Sequence, residues 1–556
     1  MNSSELIRIT LGKQLDKVAA QYPDDNCITY TDRPYKRTWA EFRDECDRVA
    51  RGFMAMGVKK GDHVAIWATN VPEWLITLFA AAKIGAVLVT VNTAYKVFEL
   101  EYLLKQSDSK VLVMIESYKD SNYIDIINEL CPSLKNSAKG KLDDPNLPFL
   151  KSVIFAGDHT PAGMVHFKEL YTMADETPEE EYRALTDSLD PDEVINMQYT
   201  SGTTGFPKGV MLSHYNIINN GKCIGDGMSF THADRLCITV PFFHCFGLVL
   251  ATMACLTHAT SMVPVDVYSP IKVLHALQDE QCTAVHGVPT MFIAMLEHPE
   301  FKNFSFEKMR TGIMAGSPCP VKVMQQVVDQ MNMREIVIVY GQTEASPGCT
   351  MTSTSDPLEL RVSTVGRKFP NVETKIIDPE TGEKLGPHRP GEFCARGYNL
   401  MKGYYKMEEA TAQAIDKDGW LHTGDLATVD ENGYYKITGR IKDMIIRGGE
   451  NIYPKEIEEF LYTHPQIKDV QVIGVPSKQY GEEVMACIIP REGSALTEEE
   501  VKAYVKSHMA RHKVPKFVAF IEEFPMTASG KIQKFKLREW AVEHLNLQDA
   551  ASIETA

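Results

Sequence analysis

Residues 199–209 read YTSGTTGFPKG, and the fold around them follows from what such a run can hold. Gly202, Gly205 and Gly209 let the backbone bend tightly and come close to a ligand. Thr200, Ser201, Thr203 and Thr204 supply hydroxyls, and Lys208 adds a point charge. Exposed backbone N–H groups in a loop of this kind form a nest for anions, so the run suits a polyphosphate. It is not the common P-loop: a G-x-x-x-x-G-K-[ST] pattern from Gly202 needs Gly at position 207, which is Pro207. Apolar Val194, Ile195 and Met197 lead in and VMLSHYNIINN follows, the flanks expected of a phosphate site in an α/β sheet.

Outward from this run, apolar segments alternate with helical ones. HVAIWATN (63–70), AVLVTVN (86–92) and KVLVMI (110–115) predict strands, with a helix from Pro72 to about Ile84 and another over ELEYLLKQS. The rhythm recurs at 153–156, 236–240, 283–286 and 335–340 and implies parallel sheets covered by helices. Polar Lys135–Pro148 predicts an exposed loop. From about residue 365 the texture changes to short strands: KIIDPETGEKL, GEFCARG and LATVDENGYYKITG, the last with a hairpin signal at Asp430–Gly433. Beyond Arg440 a smaller α+β pattern follows. There Pro454 opens a helix, DVQVIGV and VMACIIP read as strands, and Thr497 with Glu500 makes a capping box.

The length of 556 residues requires more than one core. A formal net charge of −16 argues against a nucleic-acid partner. The twelve cysteines contain no C-x-x-C pair and none of the sixteen histidines opens an H-E-x-x-H. That favours free buried thiols in a reducing compartment over disulfides or a thiolate metal site. The N-terminus lacks a secretory pattern, and Trp74–Val91 is interrupted by Lys83 and Gly85, as in a buried helix and strand rather than a membrane span. The expectation is a cytoplasmic protein without integral membrane association, as a monomer or homodimer.

Further motifs follow in order: YGQTEAS (340–346), GWLHTGDLATVDENGYYKITGRIKD (419–443), IIRGGENIYPKEIE (445–458) and ASGKIQK (528–534). With YTSGTTGFPKG, their order and spacing resemble the adenylate-forming superfamily of acyl-CoA synthetases, luciferases and peptide-synthetase adenylation domains. MAGSPCPVKVM (314–324) and GVMLSHYNIINN (209–220) look most like the medium-chain fatty acyl-CoA synthetase branch. The resemblance implies an α/β fold in which a large N-terminal domain (1–440) of mixed and parallel sheets with covering helices carries a β-rich subdomain. A hinge at 441–443 and a small mobile α+β C-terminal domain (444–556) complete it.

The same resemblance implies an AMP-forming ligase joining a carboxylic acid, ATP and coenzyme A, with Mg²⁺. The loop Thr200–Lys208 would cradle the departing pyrophosphate. Glu344 would hold Mg²⁺, since a hard cation wants a carboxylate oxygen, and Thr343 would bond the α-phosphate. Tyr340 would face adenine, with Gly316, Ser317, Gly341 and Gln342 around it. Asp425 and Arg440 would contact the ribose, and Lys531 would bridge the attacking carboxylate and α-phosphate. Lys442 would sit at the hinge, and Gly448 and Gly449 would pass the pantetheine arm of coenzyme A. Read alone, Asp425 is equally a turn cap, Lys531 a solvated loop charge, and Gly448-Gly449 an ordinary turn.

His244, within the apolar PFFHCFGLVL (241–250), reads either as a satisfied core residue or as a group beside the substrate carboxylate. HGVPTMF (286–292) and MAGSPC (314–319) supply other walls, and Ala315, Gly316 and Gly341 leave a channel open. With no basic residue there for a second carboxylate and no Asp for an amino group, fatty or aromatic acids remain. A medium-chain acid comes first and an aryl or arylalkyl acid second. A luciferase-like oxygenase, a carrier-loading adenylation enzyme and an ATP-sensing binder are the other classes.

Overall fold

Apolar runs such as Val64–Trp67, Val87–Val89 and Val111–Met114 are buried at every position, as strands covered on both faces require. The computed structural model describes residues 5–200, 206–316, 319, 321–447, 450–527 and 531–548. These fall into two compact units: the residues up to Glu373 with Ala395–Leu421, and Thr374–Cys394 with the residues from His422 onward. This division lies earlier in the chain than the segment 441–443, with Thr374–Cys394 grouped with the residues from His422 onward.

The first unit holds two large sheets. One runs in the order Gly403–Tyr404, Lys208–Ser213, Val194–Thr200, Val87–Thr90, His63–Trp67, Ser109–Met114, Ser152–Phe155, Val165–His166. It is parallel from Val194–Thr200 outward to Val165–His166 and antiparallel at Lys208–Ser213 and Gly403–Tyr404. The second sheet has a parallel centre of Glu335–Gly341, Thr311–Met314, Ala284–His286, Arg235–Ile238 and Ser261–Pro264. Gly348–Met351 adds an antiparallel strand beside Glu335–Gly341.

The stems of YTSGTTGFPKG differ from the arrangement usual for α/β phosphate loops. They are paired antiparallel strands, with Thr200 opposite Lys208. The helix His214–Gly227 begins only after the second strand, where Ser213 and Asn216 form a capping box. The segment GVMLS lies between two strands and is buried at every position but Met211, which is half-buried.

The helix Pro72–Lys83 is buried almost along its whole length. Lys83 is 1% exposed and its Nζ meets Asp16 and Asp47 carboxylates at 2.5 Å each, so the charge that interrupts this apolar run is paired, not solvated. The segment 135–148 is the largely exposed loop expected, pinned at a few points: Leu142, Asp144 and Leu147 are buried, and Asp144 accepts from the Ser133 hydroxyl at 2.6 Å. Three apolar or satisfied side chains suffice to pin a segment whose composition is otherwise polar.

In the second unit Leu421–Val429 and Tyr435–Arg440 form the hairpin signalled by Asp430–Gly433. Ile467–Ser477 and Gly481–Pro490 form a longer hairpin, with Phe517–Phe520 parallel to the latter. The helices Pro454–Leu461 and Glu498–Lys506 cover one face through Ile457, Leu461, Val501 and Val505, and Lys534–His544 covers the other through Leu537 and Ala541. Thr497 and Glu500 form the capping box. Among the described residues no helix is long and apolar enough to cross a membrane. None of the twelve cysteines forms a disulfide, and eleven are buried.

Two buried histidines make the fold acid-sensitive. His286 accepts the Ile313 N–H at Nδ1 and faces the Leu250 carbonyl through Nε2. Burial lowers its pKa to about 4, and that of His214, whose Nδ1 accepts the Leu11 N–H, to about 3. Both stay neutral in the folded chain while the unfolded chain takes up protons below about pH 6.5. Stability is therefore present above that pH and is lost as pH falls toward 4, by roughly 3 kcal/mol for each group. Denaturant titrations between pH 7 and 5 should show a steeper pH slope for the native chain than for the His214→Gln, His286→Gln double variant. An equal slope would remove the histidines from the account.

Candidate active site

The strand Glu335–Gly341 ends in YGQTEAS, and a single 3₁₀ turn, Thr343–Ala345, follows. Gln342 N–H donates to the Pro347 carbonyl at 3.0 Å and Ala345 N–H to the Gln342 carbonyl at 2.8 Å. Ser346 adopts a left-handed φ of 68° and its hydroxyl donates to the Asn399 carbonyl at 2.6 Å. Buried Asn220 accepts from Gly348 N–H and donates to its carbonyl, both at 3.0 Å. The turn that presents Thr343 and Glu344 is thus fixed by amides remote in sequence. Gly341, the last residue of the strand, is exposed. A Cβ there would lie 1.8 Å from the Pro347 carbonyl oxygen, so the glycine serves close backbone packing.

Tyr404 connects this turn to the Gly-rich run. Its hydroxyl donates to Glu344 Oε1 at 2.8 Å, and Lys208 Nζ lies 4.8 Å from its ring centroid. Burial, and then the negative charge of Glu344, raise the phenol's pKa far above its ordinary value, so it stays a donor. A cation on the ring face and an anion at its hydroxyl edge are the two favourable positions around a phenol.

The helix Val97–Gln106 grips both stems of the same run. Tyr102 donates its hydroxyl to the Pro207 carbonyl at 3.0 Å and stacks on Phe206 at 4.8 Å between ring centroids. Gln106 accepts from the Tyr199 hydroxyl and donates to the Tyr405 carbonyl at 2.8 Å. No local motif marks Tyr102, Gln106, Tyr404 or Asn399 as site residues, and Asn220 only closes the run GVMLSHYNIINN. Only the topology, which sets Gly403–Tyr404 beside Lys208–Ser213, brings them there.

PFFHCFGLVL leads into a π-helix, Phe246–Met253, a form often found at functional sites. Phe242, Phe243, Phe246, Phe292, Met314 and Ala315 are buried. His244 is half-buried and its Nδ1 accepts the Phe246 N–H at 3.1 Å. The neighbouring Cys245 Sγ lies 3.6 Å from Thr343 Oγ1, so this apolar segment abuts the turn carrying Glu344. His286, by contrast, is locked in the core.

In the second unit Asp425 and Arg440 oppose each other across the hairpin, and Arg440 Nε donates to Asp425 Oδ1 at 2.9 Å. Asp425 is buried, whereas Arg440 is 64% exposed. The buried Glu392 accepts Gly424 N–H at 2.9 Å, and Thr423 donates to the Phe393 carbonyl at 2.6 Å, so the HTGD segment is fastened from the neighbouring strand. Lys442 is exposed in the 3₁₀ turn Ile441–Asp443, beside which Arg538 pairs with Asp443 at 2.8 Å. The strands Ile445–Arg447 and Glu450–Ile452 flank residues 448 and 449, and Arg447 forks onto buried Glu483 at 2.6 and 3.2 Å. Lys531 N–H donates to Thr527 Oγ1 at 3.0 Å, and Thr527 N–H to the Lys531 carbonyl at 2.7 Å. Ser201, Gly202, Thr203, Thr204, Ser317, Gly448 and Gly449 lie outside the described residues.

Known proteins resemble this chain in sequence and in fold. Residues 15–405 match the AMP-binding enzyme family and residues 456–531 its C-terminal domain. YngI of Bacillus subtilis (strain 168), named as an acyl-CoA synthetase, is 52% identical over 98% of this chain and 100% of its own. The mitochondrial medium-chain acyl-CoA ligase ACSF2 of Bos taurus is 40% identical over 97% of this chain and 88% of its own. Among solved structures, ATP-bound MatB from Rhodopseudomonas palustris is 28% identical and superposes with a TM-score of 0.82 over 97% of this chain and 100% of that one. Motifs, sheets and relatives agree: the chain belongs to the AMP-binding enzyme family, as an AMP-forming acyl-CoA ligase.

Proposed function

We propose that the preferred acid of this ligase is a medium-chain fatty acid. The observation that carries the reading is the apolar segment Phe242–Met253 against the Thr343–Ala345 turn, joined through Cys245 and Thr343. Phe242, Phe243, Phe246, Phe292 and Met314 offer apolar surface there, and neither 241–250 nor 286–292 contains Lys or Arg. ACSF2, whose name specifies medium-chain acids, supports the same choice. A cytoplasmic location is part of the proposal, supported by twelve cysteines without a disulfide; the relatives named mitochondrial are the alternative.

In the proposed reaction the acid carboxylate attacks the α-phosphorus of ATP and expels pyrophosphate, and the thiol of coenzyme A then displaces AMP from the acyl adenylate. Thr200–Lys208 receive the phosphates, with Lys208 steadied over the Tyr404 ring. Thr343 donates to the α-phosphate. Asp425 accepts from ribose hydroxyls, and Arg440 orients it. His244, whose Nδ1 accepts the Phe246 N–H, stands beside the acid carboxylate. Glu344 fits Mg²⁺ through the hard oxygen of a carboxylate oriented by Tyr404; bound there, the ion offsets charge building on the phosphate oxygens. Lys531 neutralises the approach of the two anions, and Lys442, Gly448 and Gly449 serve the passage to the thioester step.

Three measurements test this. Lys531→Ala should lower acid-dependent pyrophosphate release on the order of 10²–10³-fold and largely spare thioester formation from supplied acyl adenylate; equal losses in both would misassign the lysine. Tyr404→Phe, which keeps the ring beneath Lys208 and removes the donor to Glu344, should raise KM for Mg-ATP about tenfold, the scale of one hydrogen bond to a charged group, with KM for the acid unmoved. Finally, kcat/KM over straight-chain acids should climb roughly fourfold per carbon to an intermediate length, because each buried methylene contributes about 0.8 kcal/mol. A series peaking at acetate or at an aryl acid would replace the substrate class and leave the ligase chemistry intact.

A further inference from the structure

Glu392 and Cys394 stand two residues apart on the strand Gly391–Gly397, so their side chains leave the same face. His422 stands on Leu421–Val429, the adjacent strand of the sheet. Its Nδ1 lies 2.9 Å from Glu392 Oε2 and 3.8 Å from Cys394 Sγ, and one donor atom from each residue lies within 4.8 Å of the others. Glu392 and Cys394 are buried, while the His422 side chain is 29% exposed and offers a way in.

We propose that Glu392, Cys394 and His422 form a binding site for a thiophilic divalent cation, Zn²⁺ foremost, and that its occupation inhibits the ligase. One thiolate, one imidazole nitrogen and one carboxylate oxygen are ligands that zinc takes. Tetrahedral bonds of about 2.3 Å to sulfur and about 2.0–2.1 Å to nitrogen and oxygen set ligand atoms about 3.3–3.6 Å apart. The existing separations bracket these values, so modest side-chain rotation completes the site. Loading releases the Cys394 thiol proton to solvent, places the imidazole proton of His422 on Nε2, and replaces the hydrogen bond between Nδ1 and Glu392 with metal bonds. Three protein ligands leave one coordination position for water, so the site is loaded and stripped reversibly. Adjacent strands hold all three ligands, which keeps their spacing fixed.

The link to catalysis runs through Glu392. Its other oxygen accepts the Gly424 N–H at 2.9 Å, one residue before Asp425. A metal that draws Oε2 off His422 turns the carboxylate and loosens this anchor of the HTGD segment. The inhibitory part rests on the role given to Asp425 above; metal binding does not.

The test is a titration of the intact, chelator-treated chain with Co²⁺, without ATP. A sulfur-to-cobalt charge-transfer band should appear, vanish in Cys394→Ser, and need at least about tenfold more metal in His422→Gln. The second variant changes a partly exposed side chain, so it keeps the test open if Cys394→Ser fails to fold. No band in the native chain, or a band unchanged by either variant, would overturn the site. In turnover assays Zn²⁺ should raise KM for ATP about tenfold, a chelator should restore it, and Cys394→Ser should resist Zn²⁺ with normal metal-free turnover. Equal inhibition of Cys394→Ser, or cobalt binding without any change in turnover, would overturn the coupling while the cobalt spectrum still decides the site.

Discussion

Tyr404 keeps a lysine and a glutamate close without requiring them to pair directly. Lys208 rests over the ring and Glu344 takes the hydroxyl. A direct ion pair would spend the charge of both groups on each other. In the reaction proposed above, a phenol between them would leave the ammonium available to phosphate oxygens and the carboxylate to a hard cation, while still fixing their separation. The rest of the first unit serves this arrangement. The sheet sets Gly403–Tyr404 beside Lys208–Ser213, the helix Val97–Gln106 holds the stems, and Asn220 and Asn399 fasten the turn after Glu335–Gly341.

The support is polar and buried, which has a cost and a purpose. Asn220, Asn399 and Glu392 are buried with their main hydrogen-bond partners in backbone groups. An apolar replacement of equal volume would leave those backbone groups unmatched, so each amide or carboxylate specifies one loop geometry rather than adding bulk stability. Preorganised donors of this kind matter because charge moves through the site during reaction and a loose scaffold would reorient in response.

Much of this was legible in the amino-acid order because it is written locally. Apolar runs gave the parallel strands, Pro72 and Pro454 the helix starts, and Asp430–Gly433 a hairpin. What escaped was set by distant partners. At Gly341 the Pro347 carbonyl, which leaves no space for a Cβ, is invisible in the sequence. His286 reads as part of a pocket wall and is a neutral core group between two backbone partners. The polar stretch 135–148 carries just enough leucine to be tied down, and Tyr102 and Gln106 look like ordinary helix residues. The antiparallel pairing of the stems around Thr200 and Lys208 is set by the neighbouring strands and not by a local pattern.

The cysteines have a practical side. Eleven of the twelve are buried, and burial raises the thiol pKa at positions such as Cys27, Cys46 and Cys255, so the reactive thiolate is scarce there. Cys319 alone is half-exposed, five residues beyond Met314 on the wall side of the first unit, with its thiol toward the Met314 carbonyl at 3.4 Å. Nature has thereby left this ligase with one address for a thiol-directed fluorophore or spin label, close to where the acid is expected and needing no engineered cysteine.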